Sequence, residues 1–210
     1  MSNPIVDQLI AKTMQELSDA EKPRFSSRSW SSSQGYKFLI PWSNAVLLRI
    51  LIRKVTDGLP RSEYRMKAQI DDASRSVVAN IEEGFKRATT GEYIRFISFS
   101  QGSLEEVKGD IERLLQDKFI YSRTQNILLD LGINLKSWNE WARNPQNFPK
   151  LLYFPLKPFK GIYRNLKEIK GNELSYEVLI ELINKTDYLL RKLVKSLEIK
   201  IQNDKLKLLR

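Results

Sequence analysis

Carboxylates, hydroxyls and lysines are the groups through which this sequence could do acid–base or covalent chemistry, because its 210 residues include no histidine and no cysteine. Those two absences remove Ser-His-Asp triads, an imidazole base near neutral pH, thiolate nucleophiles, disulfides, and His- or Cys-ligated metals. Carboxylate-only Mg²⁺ or Ca²⁺ sites, Ser-Lys chemistry and glycosidase-type acid pairs remain open. The adjacent pairs Asp71-Asp72, Glu82-Glu83 and Glu105-Glu106 diverge by about 100° around a helix axis, so no pair converges on one substrate. Glu106 and Asp110 do share a face. A di-iron bundle would need Glu-x-x-His motifs, which the chain cannot supply. Neither G-x-x-x-x-G-K-[ST] nor G-x-G-x-x-G occurs, so nucleotide cradling has no motif behind it. The expectation is a protein that is not an enzyme and takes no cofactor or metal, its carboxylates being solvated or partner-facing charge.

Basic charge is the stronger signal. Lys plus Arg number 35 against 25 Asp plus Glu, a formal charge of +10. Residues 144–210 hold 14 basic and 7 acidic side chains, whereas 41–143 hold 16 and 14. Such asymmetry speaks of a partner, and the usual partners are nucleic acid and anionic membrane. Arg61 and Arg65 lie at one end of a helical pattern, Lys86 and Arg87 at the other, with Arg75 between. In the tail, Lys157, Lys160, Arg164 and Lys167 interleave with Tyr153, Phe154, Phe159 and Tyr163. That mixture suits phosphate neutralisation with base stacking, and equally a tail whose aromatics pack while its lysines stay solvated.

The elements that must position these residues are helical throughout. A short stripe of Ile5, Val6, Leu9, Ile10, Met14 and Leu17 precedes a Ser-rich stretch, Ser26 to Ser33, that reads as a linker. Helix one follows Pro41, carries Val46, Leu47, Ile50, Leu51 and Val55, and stops at Asp57-Gly58-Leu59-Pro60. Helix two spans about 62–86 on Met66, Ile70, Ala73, Val77, Ile81 and Gly84. Thr89 and Glu92 fit a capping box that opens helix three, which ends near Lys118. A fourth pattern, Ile127, Leu128, Leu131, Leu135, Trp138 and Trp141, occupies about 122–143. Four amphipathic helices with short connections describe an all-α, antiparallel up-down four-helix bundle over 41–143. Residues 1–40 form an N-terminal extension, and 144–210 a basic tail with an extra helix. That last helix, about 174–201, carries Leu179, Ile183, Thr186, Leu190, Leu193 and Leu197 in heptad steps, a stripe that needs a partner. Asn80 among apolar neighbours reads as a polar latch fixing helix register, or as a ligand contact, and Gly84, Gly102 and Ser103 as places where helix backbones pack closely. No apolar run is long enough to span a membrane. With no signal-peptide pattern at the N-terminus, a cytoplasmic protein is expected.

Two stretches carry a family resemblance. Ser76-Val77-Val78-Ala79-Asn80-Ile81-Glu82-Glu83-Gly84-Phe85-Lys86-Arg87 and Phe96-Ile97-Ser98-Phe99-Ser100-Gln101-Gly102-Ser103-Leu104-Glu105-Glu106 resemble helices two and three of the ribosomal-RNA intervening-sequence four-helix-bundle proteins. Leu59-Pro60-Arg61-Ser62-Glu63 fits the approach to helix two. Leu131-Gly132-Ile133-Asn134-Leu135-Lys136-Ser137-Trp138 is similar to the fourth helix of accessory variability proteins of diversity-generating retroelements, which share the fold. The resemblance covers 41–143. It implies a homopentameric barrel with a basic surface and no catalytic residues and, in the retroelement branch, binding to a reverse transcriptase and to nucleic acid. Glu82 departs from the pattern, standing where a small residue is usual. The terminal helix also resembles a family fourth helix, in which case 121–173 is an insertion; the short connection expected after helix three favours 122–143. The expectation is therefore a non-enzymatic, oligomeric nucleic-acid-binding accessory protein assisting a reverse transcriptase, without membrane attachment. The alternative is a structural or protein-interaction module of the same bundle type that binds no nucleic acid.

Overall fold

In the computed structural model the described residues are 32–124, 127–157 and 162–208. The expected stripe over 5–17, most of the Ser-rich stretch, and Lys160 lie outside them. Helix α1, Ile40–Thr56, starts with Pro41 in its first turn, where a missing N–H costs nothing, and stops before Gly58 and Pro60. Helix α2 covers Tyr64–Lys86 and α3 covers Thr90–Gln116. The capping box at the start of α3 is present. The Glu92 backbone N–H donates to Thr89 Oγ1 at 3.1 Å, and the Thr89 N–H donates to Glu92 Oε2 at 3.3 Å. The expected stripes of α2 and α3 are largely the buried faces, with Ile70, Val77, Ile81, Ile97, Leu104 and Ile111 essentially without exposure. In α1, Leu47, Leu51 and Val55 are buried, but Val46 and Ile50 are only half-buried, and Leu48 and Ile52 take their place in the core.

The fourth bundle helix is a correction. The 122–143 pattern is helical only over α4, Leu135–Arg143, whereas the long α5, Tyr176–Leu208, packs against α3 and α1 and closes the bundle. Nine residues of helix reach only about 14 Å, too short to cover the 17-residue α1, about 25 Å. The α5 stripe is long enough, and Leu179, Ile183, Thr186 and Leu190 are all buried. The core therefore runs without a break across the boundary expected at Arg143. Residues 121–173 are an insertion laid on the side of the bundle. Trp138 anchors it: the indole is fully buried, and its Nε1–H donates to the Ser43 carbonyl at 2.8 Å. Phe154 meets the Trp138 ring edge-on at 5.3 Å.

Small residues decide one helix contact. A Cβ on Gly84 would sit 2.6 Å from Phe96 Cβ, so α2 and α3 approach as closely as they do only because that side chain is a hydrogen. Gly102, expected in the same role, faces open space. Register between α2 and α3 is tied by Ser100, whose buried Oγ donates to the Val77 carbonyl at 2.8 Å. Asn80 is half-buried beside this contact, and Ser103 is likewise half-buried on α3.

Candidate nucleic-acid interface

One carboxylate from each of two acidic pairs is tied into the fold, while Glu105 and Glu106 are both exposed. Glu82 Oε1 accepts the Trp42 Nε1–H at 2.8 Å, and Asp71 Oδ1 accepts the Thr56 hydroxyl at 2.7 Å. Asp110 is 2% exposed, held by Gln69 at 3.2 Å and by Arg113, and burial pushes its carboxyl above the usual carboxylate range. Among the described residues no group of three or more acidic side chains is placed to hold a metal ion. Among them also, no helix is long and apolar enough to cross a membrane.

The basic residues singled out in the sequence do not form one patch. Arg61 and Arg65 are exposed at the start of α2, and Arg65 Nε–H donates to the Tyr64 hydroxyl at 3.0 Å. Lys86 and Arg87 lie at its other end, about 34 Å away along the 23-residue helix. Lys86 sits 5.5 Å over the Tyr36 ring; Arg87 pairs with Glu83 and stacks 4.3 Å over Phe96. Arg75 pairs with Asp72 at 3.5 Å. Lys157 is exposed in the insertion. Arg164 is committed within the fold: its guanidinium donates twice to Glu173, each bond at 2.8 Å, and once to the Glu168 carbonyl at 2.9 Å. That pairing holds the Glu173 carboxyl below the usual carboxylate range.

The basic and aromatic groups that do converge lie on the outer face of α1, together with part of the insertion. Lys54 draws the insertion onto the helix, because its ammonium donates to the Lys167 and Ile169 carbonyls at 3.0 and 2.8 Å. Burial there lowers the Lys54 pKa from the ordinary lysine value. Gly171 permits the contact, since a Cβ at that position would sit 2.2 Å from the Lys54 carbonyl oxygen. The result is a cleft of about 380 Å³ bounded by Val46, Arg49, Ile50, Arg53, Asp57 and Leu152. The Arg49 and Arg53 side chains make no ion pair or hydrogen bond among the described residues. Next to Leu152 on the rim, Tyr153 is 54% exposed, with the Lys167 ammonium 5.5 Å over its ring. Two unpaired guanidiniums one helical turn apart, an apolar floor and an exposed aromatic ring offer phosphate contacts and a stacking surface together.

Arg49, Arg53 and Lys54 were not among the candidate residues in the sequence. The i,i+4 spacing of Arg49 and Arg53 was visible, but they belong to a segment whose charge nearly balances, and a regional sum does not show where its positive members point.

The matched part of the chain contains this face of α1. Residues 37–138 match the 23S rRNA-intervening sequence protein family. The matched stretch runs through α1, α2 and α3 and ends within α4, so it supports the likeness carried by the two helix signatures. It does not reach α5. No curated protein and no solved structure matches the chain.

Proposed function

We propose that this chain is a non-enzymatic nucleic-acid-binding accessory protein of the intervening-sequence type, using the outer face of α1 to hold a sugar–phosphate backbone. The observation that carries the reading is the pair of guanidiniums without an ion-pair partner, Arg49 and Arg53, which with Asp57 line the cleft, beside the exposed Tyr153 and the Lys167 ammonium. The net charge of +10 and the lack of histidine and cysteine agree with a binding role rather than catalysis. The resemblance adds a homopentameric assembly and a reverse transcriptase of a diversity-generating retroelement as protein partner. Light scattering on the full chain tests the assembly: five times the 24.5 kDa chain mass is expected, and a monomer overturns it.

The binding test is anisotropy with a labelled single-stranded RNA, titrated from low to moderate salt. Affinity is expected to fall steeply as salt rises, because releasing counterions into a saltier solution gains less, and the double variant Arg49→Glu with Arg53→Glu is expected to lower the log–log salt slope by about 2. Binding that ignores both salt and this double reversal would remove the reading. A protein-interaction module then becomes the better description, and one feature already favours it: Ile199 and Leu206 stand exposed on the last turns of α5.

A further inference from the structure

Helix α3 packs against α2 and α5 and leaves its outer face uncovered by any other described element. Along that face Arg95, Phe99, Gly102 and Glu106 follow one another in steps of four, three and four. At about 100° per residue they fall within roughly 60° of one another around the axis, so they form one continuous seam. All four are exposed, and Phe99 keeps 47% of its surface open. The Arg95 guanidinium lies 5.5 Å from the centre of the Phe99 ring. Neither Arg95 nor Glu106 makes an ion pair among the described residues.

Glycine inside a helix is less stable than alanine, so it is expected where something approaches too closely for a side chain. Gly84 meets that condition within the chain, against Phe96. Gly102 does not, because a Cβ there would meet nothing within 4 Å. The room it keeps open lies outside the molecule, one helical turn from an exposed aromatic ring.

The seam is its own complement. A second copy laid antiparallel across it, about a two-fold axis near residues 100 and 101, sets Phe99 opposite the partner's Gly102. The same operation sets Arg95 opposite the partner's Glu106, and each contact occurs twice. Steps of four and three are the spacing that lets the knobs of one helix enter the holes of another. A parallel arrangement would instead set arginine against arginine and glutamate against glutamate, which is repulsive. We infer that this face of α3 is a two-fold docking surface for a second copy of the chain, with each Phe99 ring seated over the partner's Gly102. The inference does not rest on the nucleic-acid reading. It also differs from a ring of five, whose contacts join two unlike surfaces, because this surface meets itself and so pairs whole assemblies. About three helical turns from each copy bury less than the roughly 1,200–2,000 Å² of a stable complex, so the pairing is reversible and grows with concentration.

Cysteine trapping tests the register in a chain that has no cysteine of its own. An equal mixture of full-length Arg95→Cys and Glu106→Cys chains, mildly oxidised, is expected to form a disulfide between the two. Facing sites lie within the Cα separation of up to about 7 Å that a disulfide spans. Each variant alone is expected to stay uncrosslinked, because equal positions lie roughly 16 Å apart along the antiparallel seam. In sedimentation of the unsubstituted chain, the mass is expected to rise toward double as concentration rises. Arg95→Glu should abolish that rise, and Arg95→Glu combined with Glu106→Arg should restore it. Gly102→Leu should also abolish it without lowering the melting temperature, since the added side chain meets open space within the chain. No crosslink in the mixture, equal crosslinking in the single-variant samples, or self-association that ignores both charge reversal and Gly102→Leu overturns the two-fold seam.

Discussion

At the scale of single residues, the most informative pair is Arg164 and Glu173. Basic composition puts Arg164 among the phosphate-binding candidates; its two bonds to Glu173 instead brace the insertion internally, at the turn where it leads into α5. The guanidinium depresses the Glu173 pKa, so the pair's stabilisation is present above the ordinary carboxylate pKa and is lost as pH falls through the depressed value. Glu173→Gln is therefore expected to lower stability near neutral pH by about 1 kcal/mol, discounted because both side chains are about one third exposed. The gap between variant and wild type should close as the pH is taken down into the acid limb. Urea titrations at neutral and acid pH check this, and a gap that stays constant with pH would show that the ion pair is not its source. Asp110 has the opposite sign, since burial raises its pKa, so ionising it opposes folding and the group contributes most below the ordinary carboxylate pKa.

At the scale of elements, α5 is the piece whose role was hardest to see. Its heptad stripe was plain in the sequence, but a stripe specifies only that a partner is needed, not which one. The competing 122–143 pattern has apolar residues at similar spacing, and Leu128 and Ile133 are indeed buried. They are buried from turns rather than from a helix, and Gly132 adopts a φ of 79° that ends any helical run through it. The elements that were legible are those fixed by near neighbours: the stop after α1, the Thr89–Glu92 box and the faces of α2 and α3. Beyond Leu197 none of the described side chains of α5 belongs to the buried core. Deleting 199–210 is thus expected to shift stability by less than about 1 kcal/mol, whereas deleting from Thr186 onward removes the Leu190 contact and should prevent cooperative folding. Thermal unfolding followed by circular dichroism separates the two, and a large loss from the shorter deletion would mean that the last turns pack on something.

At the scale of the whole molecule, one buried cluster joins residues from Tyr36 to Leu190 and includes Trp138 and Phe154 from the insertion. An insertion that shares the core should not melt separately. Tryptophan emission, to which the buried Trp42 and Trp138 contribute, and far-ultraviolet dichroism are expected to give coincident urea transitions. Trp138→Ala should shift both together, by about 3–5 kcal/mol. Two resolved transitions would instead mark the insertion as its own unit. The candidate interface belongs to this scale too. Its arginines come from α1 and its aromatic ring from the insertion, and only the folded molecule brings them within reach of one ligand.

The position of α5 has a consequence for how the protein is made. Helices α1 to α3 are complete by Gln116, but the strip that covers them begins only at Tyr176. About 60 residues separate the two, roughly 3–12 s of synthesis at about 5–20 residues per second. For that interval the nascent chain has no cooperative fold, and any trough its first three helices form leaves Leu47, Ile97 and Leu104 open to an apolar segment in the vicinity. A neighbouring copy emerging from the same message could offer its own α5 to that trough, so exchange of the last helix between chains is the misassembly this topology most invites.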